Sequence, residues 1–257
     1  MNERDQGNQT RLEVAKTVTT RLVTETLPAG VPMALRTYSD CSSSLTIPMQ
    51  PLDPSAASAA IANLRASGST PIAQSLRAAG NDLDSVSGPK IIVLVTDGEE
   101  TCGGDPRSAI EALVAQNVDV QVNIVGFAID DATLTATFQD WARVGNGTYF
   151  EASNAVELDL AVTTASQLSF RVLDPQGMVV ANGTVGGGPV AVPPGTYAVA
   201  IETNPVTRHE NIVVTAADPR PVEYHIESAD GRVRKEWRHP EPDVAVLKER
   251  ILAVLEA

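Results

Sequence analysis

Apolar and polar positions follow two regimes along the chain. Between Thr10 and about Ala165, short apolar runs alternate with stretches whose apolar residues recur every third or fourth position. That is the mark of strand and helix units wound about a mainly parallel sheet. Leu12, Ala15, Val18 and Leu22 share one face and predict a helix over 10–23, closed by Pro28 and Gly30. Met33 to Ser39 predicts a buried strand and LTIPM (Leu45 to Met49) a second, with Pro48 placing the second at a sheet edge. Helices are predicted over 54–64 and from Pro71 to about Ala79. KIIVLVTD (Lys90 to Asp97) is the most strand-like run of the chain and is expected at the centre of the sheet. A helix over 106–116, a strand over 120–127, a helix over 132–144, the short strand TYFEA and a helix over 156–164 complete the unit.

At about Ser166 the helical spacing stops and short alternating segments with Gly and Pro turns begin. The runs LSFRVLD, MVVANG, PVAVPP, GTYAVAIE, NIVVTA and PVEYHI read as candidate strands of a small β-sandwich. The division expected is therefore an α/β domain over 1–166, a β-sandwich over 167–228, and a linker with a terminal helix over 229–257. The linker carries Arg232, Arg234, Lys235 and Arg238. In the helix, Asp243 is the candidate N-cap, and Val244, Leu247, Ile251 and Val254 or Leu255 form one apolar stripe.

Composition narrows the function more than the fold. A chain of 257 residues, 43% hydrophobic, buries a real core, and its net charge of -13 opposes nucleic acid and anionic lipid surfaces. No apolar run is long enough to span a membrane, and the first thirty or so residues hold no secretory apolar region. Two cysteines, Cys41 and Cys102, are too few for a zinc module or a disulfide scaffold. They are candidates either for one bridge, which would place the protein outside the cytoplasm, or for two free thiols. The compartment stays open on these grounds, with a lean to the extracytoplasmic side.

The candidate chemistry lies in two segments. VLVTDGEETCGGDP (Val93 to Pro106) puts Asp97 just past a central parallel strand, at the carboxyl edge where open α/β sheets bind ligands. In SGSTPIAQSL (Ser67 to Leu76), Thr70 precedes a helix-starting proline at the same edge. Such oxygen donors suit a hard cation of the Mg²⁺ kind. Glu99 and Glu100 are further acidic candidates, weighed against a solvated loop. His209, His225 and His239 all fall outside the α/β region and in no catalytic context. Trp141 reads as core, and Trp237 as a docking anchor or a partly exposed ring. No nucleophile, base or phosphate loop argues for an enzyme.

In this order the two segments resemble the von Willebrand factor type A family, in particular its bacterial members, over about Met1 to Ala165. The resemblance implies a doubly wound α/β fold with a metal-ion-dependent adhesion site. Thr70 matches the threonine that contacts the metal, and Asp97 the aspartate that reaches it through water. The family's Asp-x-Ser-x-Ser loop ends a central first strand and leads into the first helix. Met1 matches the methionine that follows that loop, so strand and loop are both expected to be missing, leaving a groove in the sheet. Asp40, Ser42 and Ser44 spell the same motif in DCSSS but precede an edge strand, and read as a turn rather than a ligand loop. By family order, Cys41 and Cys102 follow the strands that flank the missing one, about 10 Å apart, and loop movement is needed to join them.

The expectation is a non-enzymatic adhesion-type module that binds a protein ligand through an acidic side chain, with Mg²⁺ weak or absent in this chain. The other reading is a metal-independent scaffold. The β segment resembles carboxypeptidase regulatory-like or immunoglobulin-like accessory domains.

Overall fold

A computed structural model describes residues 1–4, 9–28, 30–86, 89–116, 120–185, 190–202, 206–214, 222–227, 232–237 and 250–256. The chain divides into two units. The first comprises 1–86, 90–166 and 250–257, and the second 87–89 and 167–249.

In the first unit, local chemistry marks where helices start. Helix α1 (Arg11–Arg21) begins at a capping box: Thr10 Oγ1 accepts from the Glu13 amide, and the Glu13 carboxylate accepts from the Thr10 amide. A π-helical turn, Leu22–Thr26, ends it. Helix α2 (Pro54–Ala62) starts on Asp53 with Pro54 in its first turn, and α5 (Ala132–Val144) and α6 (Ala155–Ala165) start on Asp131 and Asn154. Helices α3 (Ile72–Leu83) and α4 (Pro106–Gln116) complete the set.

Six strands form one sheet: β1 (Pro32–Ser39), β2 (Ser42–Pro51), β3 (Lys90–Thr96), β4 (Val120–Phe127), β5 (Tyr149–Ala152) and a strand from the far end of the sequence, β12 (Arg250–Glu256). Their order is β2-β1-β12-β3-β4-β5. All run parallel except β2, which turns back on β1 at the sheet edge. The proline-bearing strand is thus at the edge, and β3, every residue of it buried, is central. Alternate residues serve the two faces. Ala34, Tyr38, Ile92, Leu94, Val122 and Ile124 join one core with α3, α4 and α5, while α1 contacts both α2 and α6 on the other side.

The groove expected between β1 and β3 is filled. Strand β12 lies in it, pairing from Met33↔Ile251 to Tyr38↔Glu256 on one side and from Arg250↔Lys90 to Leu255↔Val95 on the other. Residues 250–256 are accordingly a strand and not part of a terminal helix, because two unpaired parallel edges supply backbone partners that an isolated helix cannot match. The residues 243–249 assigned to the same helix lie outside the described residues.

The second unit contains a four-stranded antiparallel sheet, β7-β6-β8-β9, from β6 (Ser169–Leu173), β7 (Val179–Thr184), β8 (Gly195–Ile201) and β9 (Thr207–Val214). Its interior includes Leu173, Ala198 and Ala200. A separate two-stranded ladder pairs β10 (Val222–Glu227) with β11 (Arg232–Trp237). Two sequence expectations change here. The described part of PVAVPP, 190–194, is not strand, and Arg232–Trp237 is strand rather than linker.

Candidate functional site

The carboxyl ends of β1, β12 and β3 meet the loop before α3, and the candidate residues gather there. At the end of β1, Asp40 and Cys41 form the two-residue turn into β2, both at positive φ (47° and 54°). This is the left-handed geometry a tight hairpin demands, held by residues less suited to it than glycine. The turn expected of DCSSS is thus Asp40 and Cys41 alone, and Ser42, Ser43 and Ser44 already belong to strand β2. Asp40 is nevertheless tied to the loop before α3, since Ser67 Oγ donates to Asp40 Oδ2 at 2.8 Å. Gly68, at φ 67°, lies so close that a Cβ would stand 1.6 Å from Asp40 Oδ1, and only glycine fits.

Two residues further, Thr70 is 6% exposed. Its amide donates to Thr101 Oγ1 at 2.7 Å, and its carbonyl accepts from the Thr101 amide at 3.0 Å. The loop after β3 and the loop before α3 thus share a short two-way ladder. Glu100 strengthens it. One carboxylate oxygen accepts from the Ala73 amide in the first turn of α3 at 2.8 Å, and the other from the amides of Cys102 at 2.8 Å and Gly104 at 3.4 Å. A carboxylate at a helix N-terminus also gains from the helix dipole. Glu100 is a positioning residue, not a solvated acid. Asp105 is likewise engaged, capping α4 through the Ser108 hydroxyl (2.5 Å) and amide (3.0 Å). These bonds, the hydroxyl foremost, hold its carboxyl below the usual range.

Cys41 and Cys102 are joined, with their Cα atoms 5.5 Å apart. The bridge reaches from the turn after β1 to the loop after β3, across the end of β12. Strands that flank a third are separated by about 10 Å, so the two loops converge over it.

Asp97 sits at the end of β3 with its side chain 6% exposed, and Oδ2 faces the Met1 α-ammonium and Arg11 Nη1, the latter at 3.2 Å. Arg11 also pairs with Glu3 at 2.8 Å. Thr70 and Asp97 therefore share the carboxyl edge but are held by different partners, Thr70 by Thr101 and Asp97 by Arg11. Asp97 faces Arg11, Glu100 accepts from backbone amides, and among the described residues no group of three or more His, Cys, Asp or Glu side chains is placed to hold a metal. Thr101, the ladder partner, and Arg11, the counter-ion, escaped sequence reading. Neither is marked by any local pattern, and only the tertiary fold brings them to the site. Of the three histidines, His209 is buried in β9 and His225 lies on β10, both in the second unit, and His239 is outside the described residues.

Comparison with known proteins agrees with this architecture. Residues 1–100 match the von Willebrand factor type A domain. The uncharacterized protein YwmD of Bacillus subtilis (strain 168) is 32% identical over 170 residues, covering 60% of this chain and 75% of YwmD. Its uncharacterized counterpart YwmC is 36% identical over 101 residues, which span 38% of this chain and 43% of YwmC. Among solved structures, a von Willebrand factor type A protein from Catenulispora acidiphila is similar in fold, with TM-score 0.53, 15% identity, and coverage of 88% of this chain and 61% of that one.

Proposed function

The chain belongs to the von Willebrand factor type A family, and we propose that it is a non-enzymatic protein-binding module whose contact surface is the loop cluster at the carboxyl edge of the α/β sheet. The observation that carries this reading is the way these loops lock one another. The Cys41–Cys102 bridge, the Thr70–Thr101 ladder, the Glu100 carboxylate and the Asp40–Ser67 bond hold three separate segments as one polar surface. Loops ordered before binding lose little entropy on meeting a partner.

The reading gives this surface no Mg²⁺. An acidic side chain of the partner would need a cation to meet, and Arg11 is already shared between Asp97 and Glu3. Recognition therefore rests on hydroxyl and backbone groups of the loops. An oxidising, extracytoplasmic compartment accords with the disulfide. The β unit serves as a spacer or docking module without catalysis of its own, in keeping with its resemblance to carboxypeptidase regulatory-like and immunoglobulin-like domains.

A photo-crosslinking residue placed at exposed Glu99, in the same loop, tests the surface, with exposed Ser85, after α3, as control. In an extract of the source organism, one discrete adduct is expected from position 99 only, and it should persist in excess chelator. Loss of the adduct in chelator would restore a metal-dependent site, and equal labelling from both positions would reject the surface. Calorimetric titration with Mg²⁺ should give no saturable heat. Saturable binding that Thr70→Ala abolishes would overturn the metal-free reading.

A further inference from the structure

The placement of β12 and the placement of the disulfide bear on each other. Strand β12 is paired on both sides within the first unit, yet the chain between it and α6 belongs to the second unit. It is the one strand of the sheet not followed or preceded by a helix or hairpin of its own unit among the described residues. Among the described residues, the backbone hold of β12 on the sheet is therefore its two ladders.

Removing it requires β1 and β3 to give up those ladders, most easily by moving apart at one end. At the carboxyl end two direct ties between β1 with its turn and β3 with its loop oppose this, beside the bonds both make to the loop before α3. Tyr38 Oη on β1 donates to the Val95 carbonyl on β3 at 3.3 Å, and Cys41 is bonded to Cys102. The hydrogen bond is the weaker. The disulfide is covalent and lies at the surface, with Cys41 exposed and Cys102 half-buried, so a small dithiol can reach it.

We propose that the Cys41–Cys102 disulfide is a thiol-sensitive latch that keeps β12 in the sheet, and that its reduction frees β12 ahead of the rest of the α/β unit. The chemistry balances with one dithiol reductant. Its thiolate attacks one cysteine sulfur, breaking the S–S bond and forming a mixed disulfide. Its second thiol then closes the reductant's own ring disulfide. The protein gains two electrons and two protons as two thiols, and the reductant loses the same. The strands left behind present two unpaired parallel edges, a surface that takes up extended peptide.

Amide hydrogen exchange of the full chain, read by peptide mass with and without a dithiol reductant, tests this. On reduction, protection in 250–256 should fall by at least roughly tenfold, and protection in β4 should change little. The Cys41→Ser and Cys102→Ser variants, left in oxidant, should reproduce the pattern and separate bond loss from any other effect of the reductant. Unchanged protection of 250–256 would show that the disulfide does not hold the strand. An equal loss in β12 and β4 would show a staple of the whole unit and not a latch. Either result overturns the proposal.

Discussion

Tyr38 on β1 donates its hydroxyl hydrogen to the carbonyl of Val95 on β3 at 3.3 Å, although β12 separates the two strands. The side chain is 1% exposed and its ring lies in the core with Ile72, Leu76 and Leu94, so the phenol serves as both filler and tie. Tyr38→Phe keeps the filler and removes the tie. It should cost about 1 kcal/mol, whereas Tyr38→Ala should cost about 3–5 kcal/mol. Urea unfolding of both variants beside the parent chain measures the difference.

Arg36 and Asp82 form a bidentate pair between β1 and α3 at 2.8 and 3.0 Å, with Arg36 also reaching Ser43 Oγ at 3.1 Å. Their side chains are 8% and 14% exposed. Asp82→Ala would leave a guanidinium buried without its partner and should destabilise by about 3–5 kcal/mol. Arg36→Met combined with Asp82→Leu should recover most of that loss. A double variant as unstable as the single one would mean that the site needs the charges and not only the volume.

Glu100 draws two loops together through three backbone amides. Glu100→Ala strands the Ala73 and Cys102 amides in part-buried positions, and a loss of about 1–3 kcal/mol is expected. Glu100→Gln, which keeps one acceptor oxygen, should lose less. If loop order depends on this carboxylate, the Thr70 and Thr101 amides should exchange faster in the alanine variant, with those of β4 unaffected.

Gly68→Ala should be worse than its size suggests. The added methyl meets Asp40 Oδ1 at 1.6 Å and the backbone sits at φ 67°, so both contact and conformation oppose it. Asp40→Ala removes the carboxylate contact but leaves the Cα of residue 40 at 2.9 Å and the backbone strain, so in the double variant only part of the stability should return. Thermal unfolding of the three variants resolves the two contributions.

His209 is 5% exposed in β9, and its Nε2 has no hydrogen-bond partner. Burial pushes its pKa below the ordinary value of 6.5. The unfolded chain therefore takes up the proton first as pH falls. The histidine's contribution is fully present above 6.5 and is lost as pH drops through the lower folded value. Thermal unfolding of the β unit should weaken over that window, and His209→Leu should remove this component of the pH dependence.

Much of the α/β unit was legible in the chain itself, because its helices announce their starts and its strands are continuous apolar runs. Helices α4 and α5 and strand β4 occupy the residues that periodicity assigns them. The carboxyl-edge position of Asp97 and Thr70 follows from strand and helix order alone. Partners were not legible. Thr101, Arg11 and the Glu100 amides depend on where distant loops arrive, and a loop's path is decided by the elements it joins.

Ile251, Leu252, Ala253, Val254 and Leu255 show the division most sharply. Their local pattern supports an apolar stripe on a helix as readily as a buried strand, since periodicity alone does not separate the two in so short a run. The amino-acid order determined that this segment is apolar. The tertiary structure decided its conformation, because the slot between β1 and β3 holds two rows of backbone donors and acceptors that only an extended parallel strand satisfies on both sides.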